Sequence, residues 1–224
     1  MITTIDDVLG SLPQKPRRWK GSSTGTLTPP KLYEIYVYSL IARQFKIKKW
    51  QLNHYKNSKK LKGRGNFVFR GSPGFLWGGE NFSYILLENG DKRYEMHLSI
   101  QINGKSLVDH EIDIAVFEHR AAYNAAKNGR VAQITGEETP LTIECKKYNI
   151  KLDKKLAREC LGVAIETKRN APERIAMFIT NNNNKKVKQL LDRYDIKFFS
   201  EFDSSNRFVI NAFNMCIKEF IDTL

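Results

Sequence analysis

Two short segments of the sequence place acidic and basic residues inside apolar, strand-like runs. Asp113 lies in His-Glu-Ile-Asp-Ile-Ala-Val-Phe, and Glu144 and Lys146 lie in Leu-Thr-Ile-Glu-Cys-Lys-Lys-Tyr. Because side chains alternate across a strand, Glu144 and Lys146 are predicted to share one face, with Cys145 facing the core. Two carboxylates suit Mg²⁺, and a neighbouring amine can orient or deprotonate water. This set of residues indicates hydrolysis of a phosphodiester.

The spacing of an acid two residues before a lysine is common, and it occurs four times in this chain. Only Glu144 and Lys146 lie in the middle of a predicted strand. The alternative interpretation is a cross-strand surface pair, which would contribute only a few tenths of a kcal/mol. Asp113 argues against that alternative, because an acid in an apolar strand is costly unless it has a partner.

A predicted helix precedes these strands and carries a further acid, Glu34. Thr28 can cap this helix, Pro29 suits its first turn, and the apolar run from residue 32 to residue 45 continues it. At 100° per residue Glu34 falls on the side of Tyr38 and Phe45, so it is predicted to point toward the protein. The alternative is that Glu34 interacts only with the helix dipole.

The arrangement of Asp113 and Glu144-Cys145-Lys146 in consecutive strands, behind a helix bearing Glu34, resembles the PD-(D/E)xK nuclease superfamily with its restriction-endonuclease-like fold. The resemblance covers residues 30–46 and about 82–180. It implies that Asp113, Glu144 and the Cys145 carbonyl ligate metal. It also implies that Lys146 is the catalytic lysine and that Glu34 helps to organise the metal site.

The charge of the chain suggests a polyanionic partner. The 224 residues include 37 Lys and Arg against 24 Asp and Glu, for a net charge of +13. Between Glu34 and Glu80 there is no acid, whereas ten basic residues occur there. A surface that follows phosphates is favoured, because an unrelieved basic stretch repels itself. The alternative is a solvated loop. The predicted nucleic-acid-binding residues are Lys56, Lys59, Lys60, Lys62, Arg64, Lys154, Lys155 and Arg158.

The pattern of helices and strands predicts an α/β fold (α+β mixed), with a central mixed sheet flanked by helices. We expect a basic N-terminal arm over residues 1–28 and a single nuclease-like domain over 29–224, with a basic insertion at about 46–70. Residues 118–140 are predicted to be a polar insertion, partly helical at best. The sequence shows neither a signal layout nor an apolar run of membrane-spanning length, so a cytoplasmic protein is expected.

The function expected from these features is a Mg²⁺-dependent endonuclease that cuts DNA, in restriction or other anti-invader defence, with Mn²⁺ as a substitute metal. Its partner would be double-stranded DNA, and cleavage of both strands would require a homodimer. Two alternatives stay open: an RNA nuclease or partner-gated nuclease, and a module that binds nucleic acid without cutting it.

Overall fold

The computed structural model describes residues 20–21, 28–56, 59–60, 67–77, 82–129, 134–147, 152–167 and 174–224. The α-helices of this part of the chain are α1 (Pro29–Ile47), α2 (His119–Asn128), α3 (Lys154–Thr167), α4 (Lys185–Arg193) and α5 (Arg207–Thr223). Its strands are β1 (Lys20–Gly21), β2 (Gln51–Lys56), β3 (Lys59–Lys60), β4 (Val68–Phe69), β5 (Ser83–Asn89), β6 (Lys92–Asn103), β7 (Asp109–Glu118), β8 (Leu141–Lys146), β9 (Ile175–Thr180) and β10 (Lys197–Phe199).

Eight strands form one mixed sheet in the order β10-β9-β8-β7-β6-β5-β2-β3. In this order, each pair of neighbours between β8 and β3 is antiparallel, whereas β8, β9 and β10 run parallel. β1 and β4 form a separate parallel pair. The predicted class, a mixed α/β fold with a central sheet flanked by helices, is therefore confirmed.

Helices cover both faces of this sheet, so the fold has three layers. On β9, Met177 and Ile179 belong to the main core with α1 and α5, whereas Ala176 and Phe178 pack with α3 and α4. On β7, Val116 faces the main core, and its neighbours on the other face pack against α2. Alternation along each strand thus divides the apolar residues between two cores.

The helix α1 begins where its sequence predicts. The Thr28 side chain accepts a hydrogen bond from the Lys31 amide at 3.4 Å, and prolines occupy the first turn. Thirteen of its nineteen residues are buried, so α1 is a core helix. None of the described helices is both long enough and apolar enough to cross a lipid bilayer.

Two segments differ from the sequence prediction. The first part of the basic segment is a strand of the sheet, because β2 pairs antiparallel with β5 from Gln51 to Lys56. The start of the polar segment 118–140 is a regular helix, α2, whose Ala121, Ala122 and Ala125 are buried. Small alanine side chains allow α2 to lie close to the sheet, and this close packing offsets the polar composition that argued against a helix. The N-terminal arm lies outside the described residues except for 20–21 and 28.

Candidate active site

Asp113, Glu144 and Lys146 meet at the point where β7 and β8 stop pairing. The last pair of this ladder is Ile114 with Ile143. Beyond this pair, the Asp113 carboxylate accepts a hydrogen bond from the Cys145 amide at 2.7 Å. A side-chain hydrogen bond thus links the two strands where backbone pairing has ended. The Lys146 Nζ lies 3.5 Å from Asp113 Oδ2 and forms an ion pair with the Glu144 carboxylate. One amine therefore lies between two carboxylates.

Burial along β8 follows the predicted alternation. The Cys145 side chain lies in the main core, whereas the side chains of Glu144 and Lys146 keep 20% and 26% of their surface exposed. Asp113 is buried, with only 4% exposure. The predicted shared face of Glu144 and Lys146 is confirmed, and so is the burial of Asp113. Cys145 contacts the site through its backbone amide, and its carbonyl as a metal ligand stays a prediction.

Glu34 reaches the same site from α1. It is the sixth residue of the helix and lies in the second turn, so an interaction with the helix dipole alone does not explain it. The side chain is buried and forms an ion pair with Lys31. Asp113 lies close enough for its charge to affect Glu34. The structure thus brings together all four side chains that the sequence assigned to catalysis.

Sequence reasoning missed Lys31 and Ser99. The Lys31 Nζ donates to Ser99 Oγ at 2.5 Å, and Ser99 Oγ lies 3.4 Å from Glu34 Oε2. Lys31 precedes Glu34 by three residues, and this spacing places both on one helix face, so the helical pattern could have revealed it. Ser99 has a φ of 51° inside β6, between the pairs that flank Asp113 on β7. Nothing in the sequence indicates this left-handed conformation.

Three glutamates at the site, Glu34, Glu111 and Glu144, have a pKa above that of a free carboxylate. Burial, and then the charge of Asp113, raise the pKa of Glu144 to about 8. The same two causes raise the pKa of Glu34 to about 7, although Lys31 opposes them. The pKa of Glu111, which is exposed on β7, is also raised by burial and by Asp113. Acids crowded in this way favour the neutral form until a cation offsets their charge.

The site offers few side chains that could bind a metal ion. Among the residues that the structure describes, no group of three or more His, Cys, Asp or Glu side chains is arranged to hold a metal ion. The two carboxylates of Asp113 and Glu144 nevertheless fit Mg²⁺, because this ion keeps several waters and binds through one or two carboxylates. The raised pKa of Glu144 fits the same interpretation, since a dication would replace its proton.

The predicted nucleic-acid-binding residues fall into three groups. Lys154, Lys155 and Arg158 are exposed at the start of α3, the helix whose Cys160 and Val163 line a small cavity with Glu144. Lys56 is half-buried at the end of β2. Lys59 and Lys60 form β3, with side chains outside the described residues, and Lys62 and Arg64 lie outside the described residues entirely.

The end of β2 is separated from the site by the width of three strands. The strands β5 and β6 lie between β2 and β7, so at about 4.8 Å per strand the separation across the sheet is about 14 Å. The helix α3 packs through Ala157 with Phe178 of β9, so Lys56 and α3 lie on opposite sides of the site along the sheet. Comparison of the chain with protein-family models, curated proteins and solved structures gave no match.

Proposed function

We propose that this protein is a metal-dependent nuclease that hydrolyses phosphodiester bonds in DNA, with Mg²⁺ as the metal. The observation that carries the proposal is the position of Lys146. Its amine lies between the carboxylates of Asp113 and Glu144 where two strands diverge. A structural ion pair needs only one acid for each base, whereas this cluster has an excess of buried acid that repels itself.

Each side chain has a distinct role in this proposal. Asp113 and Glu144 would hold the metal, which would lower the pKa of a bound water and stabilise charge on the phosphate oxygens. Asp113 is fixed for this role by the Cys145 amide at 2.7 Å. Lys146 would orient the attacking water and stabilise the charge that develops on the phosphate oxygens. Glu34 and Lys31 support the cluster from α1.

DNA is the proposed substrate because of the charge distribution. The net charge of +13 favours a polyanion as the partner. Exposed basic side chains also lie at the start of α3, the helix that lines a small cavity with Glu144. A homodimer would allow cleavage of both strands. Double-stranded DNA is therefore the first substrate to test, and RNA is the second.

The experiment incubates the purified protein with supercoiled plasmid, linear duplex, single strands and RNA, with Mg²⁺, Mn²⁺ or EDTA. We expect cleavage of DNA that requires metal and disappears in Glu144→Gln, while the dissociation constant for the same DNA is retained. Tight binding by the wild-type protein without cleavage of any substrate would contradict the proposal and favour the non-cleaving module. Cleavage by Glu144→Gln at the wild-type rate would exclude this site as its source.

A further inference from the structure

A second polar cluster lies on the same sheet, inside a cavity of about 260 Å³ between β2, β5, β6 and α2. The cavity is lined in part by Tyr55, Tyr84, Glu95, His97 and Tyr123. This volume is slightly below the usual range for pockets that take drug-sized ligands, so it suits one small ring system. None of these residues belongs to the candidate active site.

At the base of this cavity, Glu95 joins two imidazoles. Glu95 Oε2 lies 2.8 Å from His97 Nε2, and Glu95 Oε1 lies 2.7 Å from His119 Nδ1. The Glu95 side chain is only 6% exposed and that of His97 only 1%. A carboxylate has about four lone-pair sites, so after these two bonds Glu95 can still accept a hydrogen bond from a ligand. This is a built polar site rather than a surface pair.

One wall of the cavity is aromatic. The Tyr55 and Tyr84 rings stack with centroids 5.4 Å apart, and Tyr84 stacks on His97 at 4.7 Å, each pair inclined by 16°. Tyr123 lines the cavity from α2 and is 58% exposed. Aromatic walls of this kind bind planar rings, and bases stack on them irrespective of sequence.

We propose that this cavity is a nucleobase pocket, in which a base bearing an exocyclic amino group packs against the aromatic wall and donates a hydrogen bond to Glu95. Arg93, with a side chain 58% exposed, also lines the cavity and pairs through Nε with Glu88 at 3.0 Å. A guanidinium has five N–H donors, so Arg93 can donate its remaining hydrogen bonds to the phosphate of a nucleotide. The pocket goes beyond the proposed cleavage and does not depend on it.

The pocket and the candidate active site lie at different points along the same strand, β7. Glu95 and His97 pair with Phe117 and Ala115 of β7, and Asp113 lies four residues before Phe117. The distance from residue 117 to Asp113 is about 13 Å at 3.3 Å per residue. The base can therefore come from a strand bound at the active site or from a free nucleotide.

The experiment measures binding of AMP, CMP, GMP and UMP by titration calorimetry in EDTA, so that it is independent of any cleavage. We expect saturable binding at one site, with UMP weaker by about tenfold because its base lacks an amino group. Glu95→Gln should remove this preference. Tyr123→Ala should weaken the binding of every nucleotide by about tenfold through lost stacking. The control is Tyr194→Ala, at an exposed tyrosine directly after α4, which should bind like the wild type.

A second titration uses single-stranded oligonucleotides with one abasic position moved along the strand. If the base comes from a bound strand, one position should weaken binding when abasic, and the oligonucleotide should compete with AMP. If it comes from a free nucleotide, AMP should bind equally well in the presence of the oligonucleotide. The proposal is overturned if no nucleotide saturates below about 10 mM and no abasic position matters. It is also overturned if Tyr123→Ala binds every nucleotide like the wild type.

Discussion

Two clusters on this sheet contain carboxylates whose pKa burial acts to raise, and yet the pKa shifts in opposite directions in the two clusters. In the candidate active site, burial and the charge of Asp113 raise the pKa of Glu144 to about 8. In the nucleobase pocket, burial also acts to raise the pKa of Glu95. There the hydrogen bonds from His119 and His97 outweigh it, and the pKa of Glu95 falls below its usual value.

The difference shows that partners, rather than burial, decide the state of a buried acid. Each oxygen of Glu95 has a hydrogen-bond donor before any ligand arrives, and each keeps room to accept one more hydrogen bond. Glu144 and Asp113 share one lysine, and the remaining repulsion calls for an added cation. A strained cluster of this kind is typical of a catalytic site, whereas a satisfied cluster is typical of recognition.

The largest effect that we expect comes from Lys146→Met. This change keeps the length of the side chain and removes the amine between the two carboxylates, so cleavage should fall by about 10²–10⁴-fold. The measurement is the initial rate of plasmid nicking in Mg²⁺. Lys197→Met is the matched control, because Lys197 also follows an acid by two residues and pairs with it, Asp195, at 3.2 Å on the surface.

Equal rates for Lys146→Met and Lys197→Met, with both variants folded, would contradict the distinction between a catalytic amine and a surface pair. A loss in both variants would point to a general effect of removing positive charge.

The second expectation concerns stability, where the two clusters should differ in sign. Glu95→Ala removes the acceptor of the buried His97 imidazole and of the half-buried His119 imidazole, so the free energy of unfolding at pH 7 should fall by about 3 kcal/mol. Glu144→Gln resembles the neutral form that a pKa of about 8 favours at pH 7, so it should leave the free energy of unfolding unchanged or raise it. Urea unfolding measures both variants. A clear loss in Glu144→Gln would mean that its ion pair with Lys146 is structural.

Much of the candidate active site could be predicted from the sequence because its residues lie in regular strands and a regular helix. Alternation along β8 suffices to place Glu144 and Lys146 together and Cys145 in the core. The apolar run around Asp113 suffices to predict its burial. Distances between these side chains could not be predicted, since they depend on where the β7–β8 ladder ends, and pairing extends only to Ile114 and Ile143.

The nucleobase pocket could not be predicted because its residues follow no local pattern. Glu95 and His97 alternate on β6, but His119 joins them only because α2 begins directly after β7. That helix itself was underestimated, since the polar composition of residues 118–140 concealed the three buried alanines. The spacing of the histidines in the sequence also matches no recognisable motif, although two of them share one carboxylate in the fold.

The third expectation is an opposite dependence of the two clusters on pH. Because the pKa of Glu144 is raised in the folded state, the folded protein binds more protons than the unfolded chain between about pH 4.5 and 8. Stability therefore falls as pH rises through this range, by at most about 1.4 kcal/mol for each unit by which the pKa is raised. Glu144→Gln should match the wild type near pH 5 and exceed it near pH 8.

For Glu95 the pKa is lowered, so its contribution to stability is present above the unfolded pKa and is lost as pH falls below it. Urea unfolding between about pH 3 and pH 8 compares Glu144→Gln, Glu95→Gln and the wild type. If the Glu144→Gln curve follows the wild-type curve at every pH, the pKa of Glu144 is the same in the folded protein and in the unfolded chain, and the contrast between the clusters fails.

The smallest effect tests which cluster the nucleic acid backbone approaches. Lys154 and Arg158 are exposed at the start of α3, the helix that borders Glu144. Each lost phosphate contact should reduce the salt dependence of duplex binding by about 0.9 in log–log slope, so the double alanine variant should lose about 1.8. The control is Lys185→Ala with Lys186→Ala, two exposed lysines of α4. Affinity for AMP should stay unchanged in both double variants, since the pocket lies beside α2. A slope that falls equally in the control would show that the basic surface acts as a whole, and that no part of it directs DNA to the candidate active site.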